Sequence, residues 1–157
     1  MIKRALLAAT LLASVALPAV AQDANRCFDT ARMSGAIKDS GLAWEQRNPE
    51  LWRVDLESQT RRFVRVVATC GRGVVIVFAV LADAKDLRPS DDLYLYLLRM
   101  ASRFDHVKVG IDPDGDYLVR IDLRPRTFDG KDLEAAARQL RAVVDDLTPT
   151  LRQHAAK

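Results

Sequence analysis

The chain has 157 residues, with 24 basic and 21 acidic side chains, and 49% of its residues are hydrophobic. This length and composition fit one globular domain with a single core. They exclude a disordered chain, and no internal repeat, low-complexity tract or long linker is visible in the sequence.

The N-terminus has the three parts of a secretory signal peptide. Lys3 and Arg4 precede an uncharged stretch from Ala5 to Val20, and the stretch closes with the small-x-small triplet Ala19-Val20-Ala21. An uncleaved anchor is the alternative, but about sixteen uncharged residues fall short of the roughly twenty that a membrane helix needs. We therefore expect residues 1–21 to be removed, and residues 22–157 to form a single domain that is periplasmic or secreted and has no membrane span.

Removal of the signal changes the charge balance. Lys3 and Arg4 leave with it, so the mature 136 residues carry 22 basic and 21 acidic side chains. The acids and bases alternate along the chain, whereas nucleic-acid-binding proteins usually cluster their basic residues on one surface. No nucleic-acid partner is expected.

Two cysteines, Cys27 and Cys70, remain after the signal. An even count in an exported protein favours a disulfide between them. The alternative is two buried free thiols. A catalytic thiol is disfavoured, because the sequence has no Cys-x-x-Cys pair and no histidine close to either cysteine.

The first half of the chain predicts one helix followed by three strands. The helix runs from Arg26 to about Gly41, and residues 42–50 are interpreted as a turn region. Alternating polar and apolar residues then predict strands over Leu51–Leu56 and Arg61–Cys70, and Val74–Leu81 is apolar on both faces, which is typical of a central strand.

The second half predicts a helix, a hairpin and a final helix. Ser90 caps a helix with a broad apolar stripe, strands over His106–Ile111 and Tyr117–Leu123 flank an Asp-Gly turn, and Asp129 caps the last helix. Pro149 is expected to bend or end that helix near Leu147. The order α-β-β-β-α-β-β-α, with hairpin-length links, predicts an α+β fold: a twisted antiparallel sheet of about five strands with helices packed on it.

Chain residues 93–151 resemble the YbjN-like family, which shares its fold with type III secretion chaperones. The likeness rests on the leucine-rich run Leu93–Met100, the strand Val107–Ile111, the turn Asp112–Asp116, the strand Tyr117–Leu123 and the Asp-Leu-x-x-Ala-x-x-x-Leu pattern of Asp132–Leu140. The resemblance implies a twisted antiparallel sheet, frequent pairing into dimers, and protein binding or regulation rather than catalysis. An export signal and a cysteine pair depart from that pattern, so the cytosolic role of a secretion chaperone is not carried over.

One face of the sheet is the expected partner-binding surface, because three helices cannot easily cover both faces. The partner is expected to be another protein or a second copy of the chain. The alternative is that a helix covers this face too. The residues assigned to this face are Phe63, Val67, Val75, Val77, Ala79 and Leu81.

A second candidate surface is rich in arginine. It would give a small periplasmic enzyme or enzyme inhibitor a site for an anion, although such residues are more often the solvated side of a sheet. A third hypothesis is an apolar ligand held between helices and sheet. The residues of the possible anion-binding surface are Arg61, Arg65, Arg120 and Arg124.

No catalytic residue, metal site or cofactor is predicted. His106 and His154 have no nucleophile or ligand at a telling spacing, and both are interpreted as surface residues. The run Asp112–Asp116 resembles the start of a calcium loop, but its glycine is the fourth residue rather than the sixth, and leucine is the twelfth residue where glutamate is required. We interpret that run as a turn.

Overall fold

The fold comprises three helices and six strands in a computed structural model that describes residues 30–71 and 73–156. The predicted signal at residues 1–21 and Cys27 lie outside the described residues. The elements in chain order are α1 (Thr30–Asp39), β1 (Glu45–Asn48), β2 (Leu51–Glu57), β3 (Phe63–Gly71), β4 (Val74–Ala82), a 3₁₀ turn (Ala84–Asp86), α2 (Asp91–Ala101), β5 (Lys108–Ile111), β6 (Tyr117–Leu123) and α3 (Gly130–Gln153).

All strands pair antiparallel in one open sheet with the spatial order β1-β2-β3-β4-β6-β5. The predicted α+β class and the twisted antiparallel sheet are confirmed. The sixth strand is β1, which lies in the region 42–50 interpreted as a turn. Its four residues are all exposed, so no alternation of apolar residues could mark it in the sequence.

The core lies on one face of the sheet, here called the inner face. Val66 of β3 pairs with Ala79 of β4, which pairs in turn with Val119 of β6, and all three are fully buried. Side chains alternate between the faces of a strand, so this row fixes the inner-facing set of each strand. Helix α3 lies against β3, β4 and β6, α1 lies against α3, and α2 lies against β5.

Helix α3 supplies most of the cover. It begins at a capping box in which the carboxylates of Asp129 and Asp132 each accept a backbone N–H of the other residue. Leu133, Leu140 and Leu147 repeat every seven residues and are completely buried. A helix of 24 residues is about 36 Å long at 1.5 Å per residue, which is enough to cross the whole central sheet.

Pro149 was predicted to bend or end this helix near Leu147, and the second of these alternatives is wrong. Helix α3 continues through Pro149 to Gln153. Proline removes one intrahelical hydrogen bond and costs about 3 kcal/mol in a helix interior. Leu151, beyond the proline, is almost fully buried, and its burial together with that of Thr148 offsets this cost.

The assignment of β4 to the faces of the sheet was also wrong. The predicted partner face combined Phe63 and Val67 with four residues of β4. Those four face the opposite way and are buried in the core. The sequence could not show this, because β4 is apolar at every position and only its register with β3 determines which alternate residues face inward. The four buried residues are Val75, Val77, Ala79 and Leu81.

Cys70 is near the end of β3, on the same face as Val66 and Ala68, as the sequence predicted. It is partly buried and is not a free thiol. Since Cys27 lies outside the described residues, the Cys27–Cys70 pairing stays a prediction.

Candidate protein-binding surfaces

Helix α2 has an inner and an outer side. Ser90 caps it by accepting the N–H of Leu93 at 3.2 Å, and Asp91 and Asp92 place negative charge at the positive end of the helix dipole. Leu93, Leu97 and Met100 repeat at helical spacing and are buried. This inner stripe fixes the rotation of the helix about its axis.

The outer side of α2 is also apolar. The sequence shows one broad apolar stripe along this helix, and that pattern alone does not tell which of its residues face the core. Leu98 is 69% exposed, Leu95 46% and Tyr94 39%, and Ile111 on the neighbouring β5 is 50% exposed. We call these four residues the α2 surface. Exposed large apolar side chains grouped in this way are typical of protein-binding sites rather than of ordinary solvent-facing helices.

Tyr94 joins the α2 surface to the sheet. It lies beside Tyr117 of β6, which pairs in register with Ile111. Burial raises the pKa of Tyr117, and its hydrogen bond with Tyr94 raises it further. This contact links α2 to β6, next to the edge strand β5.

Strand β5 is one edge of the sheet and pairs only with β6 in the described part of the chain. An edge strand presents unpaired N–H and C=O groups to any strand that approaches it. The α2 surface thus borders a row of backbone groups that can accept another strand.

The second candidate is the face of the sheet opposite the helices, here called the outer face. All three helices lie on the inner side, so in the described residues no helix covers it. Phe63 and Val80 are each 38% exposed and the other apolar members are partly buried. The apolar residues of the outer face are Phe63, Val67, Ile76, Phe78, Val80 and Leu118.

Ion pairs line the outer face on both flanks. Arg65 binds Asp55 through two hydrogen bonds of 2.9 and 3.0 Å, and its guanidinium carbon lies 5.3 Å from the centre of the Phe63 ring. The hydrogen bond from Arg65 holds the pKa of Asp55 below its ordinary value. On the other flank Lys108 approaches Asp122 to 2.6 Å. These pairs leave an apolar lane along β3 and β4.

The four arginines of the predicted anion-binding surface do not form one site. Arg65 is paired with Asp55, and Arg120 lies 3.4 Å from Asp122. Arg61 is half-buried on the inner side, where its Nη2 donates to the Leu81 carbonyl at 3.2 Å and to Thr148 Oγ1 at 2.7 Å. Arg124 is exposed beyond the end of β6.

A buried carboxylate on α3 holds the turn between β2 and β3, and the sequence analysis missed it. Asp145 accepts hydrogen bonds from Ser58 Oγ at 2.5 Å, Thr60 Oγ1 at 2.9 Å and Arg141 Nη1 at 3.0 Å, and from the backbone N–H groups of Gln59 and Thr60. Burial alone would raise the pKa of Asp145, but the hydrogen bonds hold it well below its ordinary value. No short motif links residues 86 positions apart, so only the fold reveals this contact.

An open polar cleft of about 530 Å³ lies beside this turn. Its charged groups come from β2 and α3, and it contains none of the four predicted anion-binding arginines. Arg138 and Arg141 are already paired with Glu134 and Asp145. The lining residues are Asp55, Leu56, Glu57, Ser58, Gln59, Arg138 and Arg141.

The aspartate run after β5 forms a turn, as interpreted from the sequence. Asp112 Oδ1 accepts the N–H groups of Asp114 and Asp116 at 2.9 Å, and Asp116 Oδ1 accepts the N–H of Ala84 at 2.8 Å. Within residues 30–71 and 73–156 no group of three acidic, histidine or cysteine side chains is placed to hold a metal ion. In the same residues, no helix is both long and apolar enough to cross a bilayer.

Comparison with known proteins finds likeness in structure. No family model and no curated protein matches the sequence. A chain of the heterodimeric ExoU–SpcU complex from the type III secretion system of Pseudomonas aeruginosa superposes with a TM-score of 0.54 and 22% identity, covering 75% of this chain and 96% of that one. YbjN from E. coli superposes with a TM-score of 0.57 and 12% identity, covering 84% and 98%.

This chain has a YbjN-like, secretion-chaperone-like fold. The resemblance that the sequence suggested is confirmed at the level of structure. At these identities the likeness concerns the fold, and function has to be argued from the surfaces.

The Asp145 contact predicts acid sensitivity. Asp145→Asn should lower the free energy of unfolding by about 3 kcal/mol, because the amide cannot accept all the hydrogen bonds and leaves Arg141 unpaired. The pKa of Asp145 is lower in the folded than in the unfolded chain. Its stabilisation is therefore complete above about pH 5 and is lost progressively as the pH falls through the ordinary value of 3.8 and below it. Urea unfolding from pH 7 to pH 2 measures both effects.

Asp146→Asn is the matched control, since Asp146 is the next residue and is exposed. It should change the stability by less than about 0.5 kcal/mol. Equal effects of the two substitutions would contradict the role given to Asp145.

Proposed function

We propose that this protein is an exported, non-catalytic module that binds protein partners through the α2 surface, and that a second copy of the chain is one such partner. The observation that carries the proposal is the apolar α2 surface beside the unpaired edge of β5. The fold similarity supports it, because one neighbour comes from a heterodimeric protein complex.

Self-association through this surface has a simple geometry. A two-fold axis beside β5 would bring the same patch of both copies together. Strand β5 could then pair antiparallel with its counterpart, while Leu98 and Leu95 of each helix pack on the other copy. Burial of the apolar side chains would supply the affinity, and the pairing of the two β5 strands would set the register.

The outer face of the sheet is a second place for a protein partner. Phe63 and Val67 of the predicted face lie there, and with Ile76, Phe78 and Val80 they form the apolar lane between the ion pairs. This lane lies on the opposite side of the sheet from the helices, so both surfaces could be occupied at once.

An enzyme or enzyme inhibitor that uses an arginine-rich surface is less well supported. The four arginines concerned lie on different sides of the sheet, and three of them are paired with carboxylates or protein oxygens. The cleft beside Ser58 is polar, but its arginines are paired as well.

Export and the crosslink belong to the same proposal. They are supported by the charge pattern of residues 1–21 and by the pair of cysteines in the sequence. A Cys27–Cys70 disulfide would fasten the segment before α1 to the inner face of the sheet, where Cys70 lies.

The dimer prediction is tested by a pair of glutamate substitutions. Leu98→Glu should weaken self-association at least tenfold. It replaces an apolar contact with two negative charges that repel each other across the two-fold axis. Val80→Glu, an exposed apolar residue on the outer face, should leave the dimer intact. Size-exclusion chromatography with light scattering over a range of concentrations measures both.

If the dimer were lost in Val80→Glu and kept in Leu98→Glu, the interface would lie on the outer face of the sheet. A wild-type protein that stays monomeric at every concentration would contradict self-association by either surface.

Export is tested by mass spectrometry of protein recovered from its native host, without reductant and after alkylation. The expected mass corresponds to a chain that begins at Gln22 and lacks two hydrogens. A chain that retains Met1 and takes up two alkyl groups would contradict both the signal and the disulfide.

A further inference from the structure

Residues 154–156 contact the segment that leads into α2. Residues 154–156 follow α3 and form an isolated antiparallel bridge, in which Ala155 lies opposite Leu87. Arg88 N donates to the His154 carbonyl at 2.8 Å, and Ala156 N donates to the Asp86 carbonyl at 2.9 Å. Arg88 Nε also donates to the Ala155 carbonyl at 3.1 Å. We call residues His154–Ala156 the C-terminal strap.

The segment held by the strap is the linker between β4 and α2, residues 83–89. Its 3₁₀ turn contains no buried residue, and Leu87 is its one residue in the core. Within the described residues, hydrogen bonds from outside the linker reach it at two places: the Asp116 carboxylate binds Ala84 N, and the strap binds residues 86 and 88. The strap thus holds the half of the linker that adjoins α2.

Helix α2 is packed against fewer elements than α3. Helix α3 lies across three strands and against α1, whereas α2 lies mainly against the short edge strand β5. Its inner residues Leu93, Leu97 and Met100 belong to the core, while much of its outer side faces solvent. Local opening is easiest where an element has few buried apolar contacts, and α2 buries three residues where α3 buries eleven.

From this geometry we infer that the C-terminal strap controls the opening of α2. With the strap in place, the linker is fixed and α2 stays closed over the core. When the strap is released, the linker and α2 swing away together and expose the inner leucines beside the α2 surface. A partner that binds residues 154–156, or a protease that removes them, would thereby change the apolar area that α2 offers. The control is independent of which protein α2 binds.

Amide hydrogen exchange followed by mass spectrometry tests the inference. A chain truncated after Gln153 loses both backbone hydrogen bonds of the strap, and each is equivalent to about a fivefold change in an opening equilibrium. We expect exchange in the linker and α2 to accelerate about twentyfold, with the amides of β3, β4 and the first turns of α3 unchanged. The measurement is made in the Leu98→Glu background, so that self-association does not protect α2.

A gentler variant covers the case in which the truncated chain unfolds. Ala156→Pro removes the backbone N–H that donates to the Asp86 carbonyl. It should therefore accelerate exchange in α2 about fivefold. Ala156→Ser keeps that N–H and should match the parent protein. Unchanged α2 exchange in both the truncated chain and Ala156→Pro overturns the inference, and so does an acceleration that is equal in α2, the sheet and α3.

Discussion

The packing of α3 against one face of the sheet is the contact on which the remaining features depend. Its three fully buried leucines, Leu133, Leu140 and Leu147, lie over the valine and alanine rows of β3, β4 and β6. A single long helix covers the inner face so completely that α1 packs on α3 itself, while α2 takes the space beside β5. The apolar side chains on the outer face of the sheet are left without cover from the described helices.

This one-sided arrangement explains where the candidate surfaces lie. The outer face is apolar along its centre because β4 is apolar at every position, and salt bridges between strand residues lie on both of its flanks. The α2 surface arises because a helix at the edge of the sheet has fewer neighbours than a central one. Both features are the apolar surfaces on which the proposed binding of protein partners rests. The fold shared with YbjN and a chain of the ExoU–SpcU complex does not by itself indicate a function.

Sequence patterns predicted the elements that have a strong period and missed what depends on tertiary contact. The alternation in β2 and β3 and the spacing of the leucines in α3 identified those elements, and the turn at Asp112 followed from local chemistry. The inward half of β4 could not be predicted, because a strand that is apolar on both sides carries no period. The exposed strand β1, the extension of α3 past Pro149 and the buried Asp145 each depend on residues far away in sequence.

If helices cover one face of the sheet and leave the other open, thiols placed at two adjacent positions of β4 will differ in reactivity. Val80→Cys would place a thiol on the outer face, and Ala79→Cys would place one under α3. The thiol at position 80 should react readily. The thiol at position 79 should react about a hundredfold or more slowly than that, and only when the sheet opens. Equal rates at the two positions, or strong protection of both in a dilute monomer, would contradict this arrangement of the helices.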